Sequence, residues 1–128
     1  MAKEKFQLEF ILNNTSLSVL WNSISTPSGL ADWFADDVLL EGKKYIFKWK
    51  GNEQSAELLI IRAGSYIRFR WLDDMNDRTY FEFKINVDSL TSEVALVITD
   101  FAEPDEKEDA VSLWTKQVED LKRNMGMV

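Results

Sequence analysis

Phe81-Glu82-Phe83-Lys84-Ile85-Asn86-Val87 alternates apolar and polar side chains without a break. A period of two puts Phe81, Phe83, Ile85 and Val87 on one face of a strand, with Glu82, Lys84 and Asn86 on the other. One face is made for a core and the other for water. The pattern repeats upstream, where Ile67, Phe69 and Trp71 alternate with Arg68 and Arg70, and Tyr45, Phe47 and Trp49 alternate with Lys44, Lys48 and Lys50. Val38 to Leu40 reads as a brief strand, Ser55 to Arg62 as a more continuous apolar one, and Glu93 to Phe101 as the last. Turn residues separate them at Glu41-Gly42-Lys43, Gly51-Asn52, Ala63-Gly64-Ser65, the acidic stretch Asp73 to Asp77, and Ser89 to Ser92. Short turns between successive strands imply an antiparallel meander.

Both flanks fit this sheet. Phe6, Leu8, Phe10 and Leu12 form a first alternating strand, and Asn13-Asn14-Thr15 then supply turn and helix-capping oxygens. A short helix follows with Leu17, Leu20, Trp21 and Ile24 on one face, ending near Ser25. Thr26-Pro27 opens a second, since Thr caps and Pro suits a first helical position. Leu30, Trp33 and Phe34 are its apolar side. At the C-terminal end, Val111, Trp114, Val118, Leu121 and Met125 recur at spacings of 3, 4, 3 and 4. That is one continuous apolar stripe along a long helix. Acidic Asp105 and Glu106 precede it and Lys122 and Arg123 close it, as the helix dipole favours. The expected architecture is α+β: a curved antiparallel sheet of six or seven strands, wrapped around the long C-terminal helix, with two short helices after the first strand. Without an internal repeat or linker, residues 1–128 read as a single domain.

Composition narrows the chemistry. The chain has no cysteine and no histidine, which excludes disulfides, thiolate nucleophiles and the usual general base near neutral pH. A formal net charge of −7, with no dense run of Lys and Arg, argues against nucleic acid as a partner. Nothing at the N-terminus has signal-peptide length, and the longest apolar run, Val94 to Ile98, is too short to cross a bilayer. A cytoplasmic protein with no membrane insertion is expected. No nucleophile elbow, phosphate-binding glycine loop or nucleotide fingerprint is present, and no cofactor is called for. Asp73, Asp74, Asn76 and Asp77 offer oxygen ligands, but counting from Asp74 the fifth position is Arg78 and the sixth is Thr79, where a calcium loop needs Gly. The expectation is no metal and no enzyme activity.

Thr26-Pro27-Ser28-Gly29-Leu30-Ala31-Asp32-Trp33-Phe34-Ala35-Asp36-Asp37 resembles the "P-x-x-L-x-x-W-F" segment of the START-like (SRPBCC) superfamily, in the branch similar to activators of the heat-shock chaperone ATPase. Glu41-Gly42 ahead of a strand, Phe69-Arg70-Trp71, and a terminal helix with Trp114 and Leu121 extend the resemblance over nearly the whole chain. It implies a helix-grip fold, whose members use the space between sheet and helix for lipids, hormones, polyketides or protein contacts. Some relatives are cyclases.

The expected ligand-binding residues are Phe47, Trp49, Phe69, Trp71, Phe81 and Phe83 on the sheet, with Trp114 and Val118 on the helix. Bulky as they are, the same side chains can equally fill the space as solid core. Trp33-Phe34 is expected to close one end of that core. If Ala56, Leu58 and Ile60 point inward, Arg62 follows, and if Val94, Leu96 and Ile98 do, so does Asp100. Arg62 and Asp100 are therefore the polar candidates. The functional expectation is a small hydrophobic or amphipathic ligand held under the long helix. The alternatives are a protein-interaction module serving a heat-shock chaperone, and a cyclase-like enzyme. Ile46, Leu59 and Ile61, if on the outer sheet face, offer a surface for self-association.

Overall fold

The computed structural model describes residues 3–13, 15–74 and 78–126. Asn14 of the expected cap, and Asn76 and Asp77 of the acidic loop, lie outside them. In chain order the elements are β1 (Glu4–Ile11), α1 (Leu17–Ser25), α2 (Pro27–Leu30), β2 (Asp37–Glu41), β3 (Lys44–Trp49), β4 (Asn52–Arg62), β5 (Tyr66–Trp71), β6 (Phe81–Val87), β7 (Val94–Ala102) and α3 (Lys107–Asn124). The strands form one seven-stranded sheet in the order β1-β7-β6-β5-β4-β3-β2, with every neighbouring pair antiparallel. First and last strands thus sit side by side, and the meander from β2 to β7 fills the rest.

Local chemistry sets the helix ends. Ser16, just beyond the expected capping stretch, caps α1, accepting from Val19 N at 3.4 Å. Asn13 instead ties β1 to β7, its Oδ1 accepting from Val94 N at 3.3 Å. Thr26 caps α2 through Oγ1, which accepts from Gly29 N at 3.0 Å, and Pro27 takes the first helical position as expected. Gly29 has a steric role: a Cβ there would lie 2.1 Å from Asn22 O, so only glycine lets α2 close on the end of α1.

The core lies between the sheet's inner face and α3, with α1 and α2 closing one end. Trp114, Val118 and Leu121 of the α3 stripe are buried, and Val111 and Met125 are half-buried against the same core. Trp114 meets Phe83 edge-on at 5.7 Å between ring centroids. The aromatic face of the sheet and the helix stripe are therefore two sides of one interior.

β4 departs from simple alternation. Its register with β5 shifts between Leu58 and Ile60, so Leu58 pairs with Phe69 but Ile60 pairs with Arg68, Ile61 with Ile67, and Arg62 with Tyr66. Such a bulge inserts one residue and reverses the faces beyond it. Ile60 and Arg62 consequently share the outer face with Arg68 and Tyr66, which corrects the inward placement of Arg62. Arg62 is exposed, and its Nε donates to the Tyr66 hydroxyl at 3.2 Å. The outer patch of Ile46, Leu59 and Ile61 does not form either. Ile46 is buried, and Ile61, though 48% exposed at the end of β4, has the parity of core residue Ile67, so the three do not share one outer surface.

Candidate functional site

Interdigitated aromatic rings fill the deep part of the space between sheet and α3. Phe47, Phe69, Phe81 and Phe83 are fully buried, and Val118 of α3 is buried with them. Phe69 stacks on Phe81 at 4.9 Å, Phe47 meets Phe69 edge-on at 6.1 Å, and Phe83 lies 5.8 Å from Phe81. Rings at these separations occupy the volume they enclose. These five residues, expected to touch a ligand, pack against one another as a solid floor.

Space opens further along, beside the N-terminal half of α3. A cleft of about 400 Å³ is lined by Phe34, Trp49, Asn52, Gln54, Trp71 and Asp100 from the sheet side, and by Ala110, Leu113, Trp114 and Gln117 from α3. It sits where Trp49 ends β3, Asn52 begins β4 and Trp71 ends β5. Trp49 and Trp71 are half-buried, with ring centroids 6.4 Å apart. Leu113, on the rim, is 59% exposed.

Phe34 organises the cleft. Its ring stacks at 5.6 Å on Trp114 and at 6.5 Å on Trp71, and meets Trp49 edge-on at 5.7 Å. Its carbonyl accepts from Trp49 Nε1 at 2.9 Å and from Gln117 Nε2 at 3.0 Å. One backbone oxygen thereby fixes one wall from the sheet and one from the helix. Trp33, its neighbour, plays the closing role expected of the pair, with its Nε1 donating to Ser23 O at 2.8 Å.

Asp100 supplies the only ionisable side chain of the cleft among the described residues. It points inward, as strand parity required. Its Oδ2 accepts from Trp114 Nε1 at 2.9 Å, and its Oδ1 accepts from Phe101 N at 2.7 Å. Burial pushes its carboxyl above the ordinary carboxylate range, and the two hydrogen bonds oppose that rise without cancelling it. Behind it lies a smaller space of about 110 Å³ lined by Lys3, Trp71, Asp74, Thr79, Tyr80, Asp100 and Phe101. There Lys3 Nζ and Asp74 Oδ2 are 3.7 Å apart, and Thr79 Oγ1 also donates to Asp74. Asp74 of the acidic loop is thus engaged in side-chain contacts.

Of the residues singled out from sequence, Trp49, Trp71, Asp100 and Trp114 come together on the cleft, the five floor residues pack behind it, and Arg62 lies elsewhere. Phe34, Asn52, Gln54, Ala110, Leu113 and Gln117 were missed as cleft residues. Asn52 belongs to the expected Gly51-Asn52 turn and Gln54 precedes the strand expected from Ser55, whereas β4 begins at Asn52, and Gln117 flanks the apolar stripe one turn after Trp114. Glu103, Asp105 and Glu106 cluster at the start of α3. Negative charge there suits the helix dipole.

Among the described residues no helix is long and apolar enough to cross a membrane. The solution NMR structure of BfR322 from Bacteroides fragilis is 50% identical, with a TM-score of 0.70, and the match covers 100% of this chain and 95% of that one. The Aha1 dimer from Colwellia psychrerythraea has a TM-score of 0.78 at 14% identity, covering 95% and 96% of the two chains. DynU16, from the dynemicin biosynthetic locus, gives a TM-score of 0.75 at 16% identity over 93% of this chain and 46% of its own. These last two share the fold. No curated protein matches the chain at a significant level. The family pattern of the START-like superfamily domain spans residues 1–127, so the chain belongs to the START-like superfamily.

Proposed function

We propose that the protein is a non-catalytic binding module that holds a small apolar or amphipathic molecule in the cleft beside the N-terminal half of α3. The observation that carries this reading is the cleft itself. An aromatic wall of Phe34, Trp49, Trp71 and Trp114 faces a few polar groups, which is the composition of small-molecule sites in general. Its volume, about 400 Å³, lies within the usual range for such pockets. Catalysis has thinner support, because a lone carboxylate without a second acid or base partner in the cleft is poorly equipped for proton transfer. A chaperone co-factor role draws on the fold shared with Aha1 and on no group in the cleft.

The neutral dye N-phenyl-1-naphthylamine tests the proposal. Saturable one-to-one binding that quenches tryptophan emission is expected, with Trp49→Ala weakening it by about tenfold through lost apolar contact. Uptake that never saturates, or that Trp49→Ala and Trp71→Ala leave untouched, would overturn the reading.

A further inference from the structure

Resting on the binding role proposed above, the geometry points to a ligand that is an organic cation, an ammonium head on an apolar body, with the head between Asp100 and the tryptophan faces. Asp100, Trp49, Trp71, Trp114 and Phe34 line one cleft. Aromatic faces carry negative electrostatic potential and attract cations, most strongly where water is excluded. A carboxylate at the same place adds a charge-assisted partner for an N–H donor. Each Asp100 oxygen already accepts one hydrogen bond, Oδ2 from Trp114 and Oδ1 from Phe101, and each retains acceptor capacity for another.

The charges around the cleft favour the same sign of ligand. Neither Lys nor Arg is among the lining residues, so nothing inside pairs a carboxylate or phosphate head. Lys116 and Arg123 line the adjoining open groove, where Asp32, Asp36 and Asp120 stand beside them. Lys3 is the cation behind Asp100, and it lies in ion-pair range of Asp74. Among the described residues no cation forms an ion pair with Asp100. Its burial leaves the carboxyl harder to ionise than usual, and a bound ammonium group would relieve that cost.

The groups facing Asp100 are few. Lys3 ahead of β1, Asp74 after β5 and Tyr80 before β6 line the small space behind it, while α3 presents the uncharged Ala110, Leu113, Trp114 and Gln117. Lys3 and Asp74 act on its ionisation in opposite senses.

Three probes with one apolar tail separate the possibilities: n-octylammonium, 1-octanol and octanoate, each titrated into the full chain at pH 7.5 while tryptophan emission and heat are recorded. The ammonium probe is expected to bind about tenfold more tightly than octanol, with octanoate weakest. Asp100→Asn should abolish most of that preference, with the ratio of ammonium to octanol affinity as the readout. A fold-independent check uses the wild type, whose ammonium preference should fall as the pH is lowered and Asp100 takes up a proton. Saturable octanol binding with no charge preference, or a preference that survives Asp100→Asn, would sink the cation inference and leave the binding module standing. Should octanoate bind best, the sign is wrong. If no probe binds, the cleft is not a ligand site and both readings fall.

Discussion

The two ends of the space beneath α3 are built from the same kinds of residue and do different things. Toward Val118 and Leu121, phenylalanines from three strands, β3, β5 and β6, meet with no room between them. Toward Ala110 and Leu113, tryptophans replace them, and the sheet and helix part to leave the cleft. Tryptophan suits such a margin, since its ring covers apolar surface while its N–H needs a partner. Trp49 finds one in Phe34 O and Trp114 in Asp100. Packing specificity thus sits at one end, and hydrogen-bonded aromatic walls at the other.

The sharpest way to break this contrast is at the packed end. Phe83 is fully buried, with ring contacts to Trp33 at 5.4 Å, Phe34 at 5.7 Å and Trp114 at 5.7 Å. Phe83→Ala should cost about 3–5 kcal/mol in urea unfolding, the range for removing a buried aromatic ring. Dye affinity per folded molecule should change little. A loss below about 1 kcal/mol would mean that the packed end is looser than described.

At the boundary between the two ends, Trp114→Phe keeps a ring in place but removes the donor to Asp100 Oδ2. Loss of a hydrogen bond to a charged acceptor should cost about 2 kcal/mol. The Asp100 carboxyl should also rise further, since one of the two bonds favouring its charged form is gone. NMR titration of the Asp100 side chain would read that change directly.

The ionisation of Asp100 gives a handle on stability as well. Its folded pKa is raised above the unfolded value, so the native state binds the proton more tightly than the unfolded chain does. The associated stability is present below the unfolded carboxylate value and is lost as the pH rises through the folded one. Unfolding midpoints should therefore show Asp100→Asn gaining on the wild type as the pH climbs from acid toward neutral. Asp100→Asn losing ground to the wild type over that range would show instead that the two hydrogen bonds outweigh burial.

Much of the fold was legible because period-two alternation and a regular helical stripe survive in the sequence. Phe81, Phe83 and Ile85 allow one reading of their strand, and Trp114, Val118 and Leu121 allow one reading of their helix. The cleft was less legible for two physical reasons. Whether a set of aromatic rings closes on itself depends on how far sheet and helix stand apart, and residue pattern carries no measure of that distance. Its polar lining includes Asn52 and Gln54, which continue the inward parity of Ala56 and Leu58 with polar side chains, and Gln117, which lies beside the apolar stripe, so a search for apolar periodicity passes over all three. Phe34 was read as half of a packing pair, and its carbonyl, the group that binds both walls, has no sequence signature at all.

Arg62 tests the weakest point of the sequence reading and carries the smallest expected effect. Leu58-Leu59-Ile60-Ile61 is apolar throughout, so parity had no polar residue with which to mark a face. The register shift between Leu58 and Ile60 then turned Arg62 outward, beside Tyr66, whose ring also lies 5.9 Å from Lys84 Nζ. An exposed guanidinium with one hydrogen bond to a hydroxyl contributes little, because water replaces the bond when it is lost. Arg62→Ala should change unfolding free energy by no more than about 0.5 kcal/mol. It should leave dye affinity and ammonium preference unchanged, since the side chain is absent from the cleft lining. A clear loss of binding in Arg62→Ala would place the guanidinium on the inner face after all. That would require β4 to run without its bulge, moving Ile61 and Ile60 to opposite faces from those described and reopening the far end of the core as the place where a ligand sits.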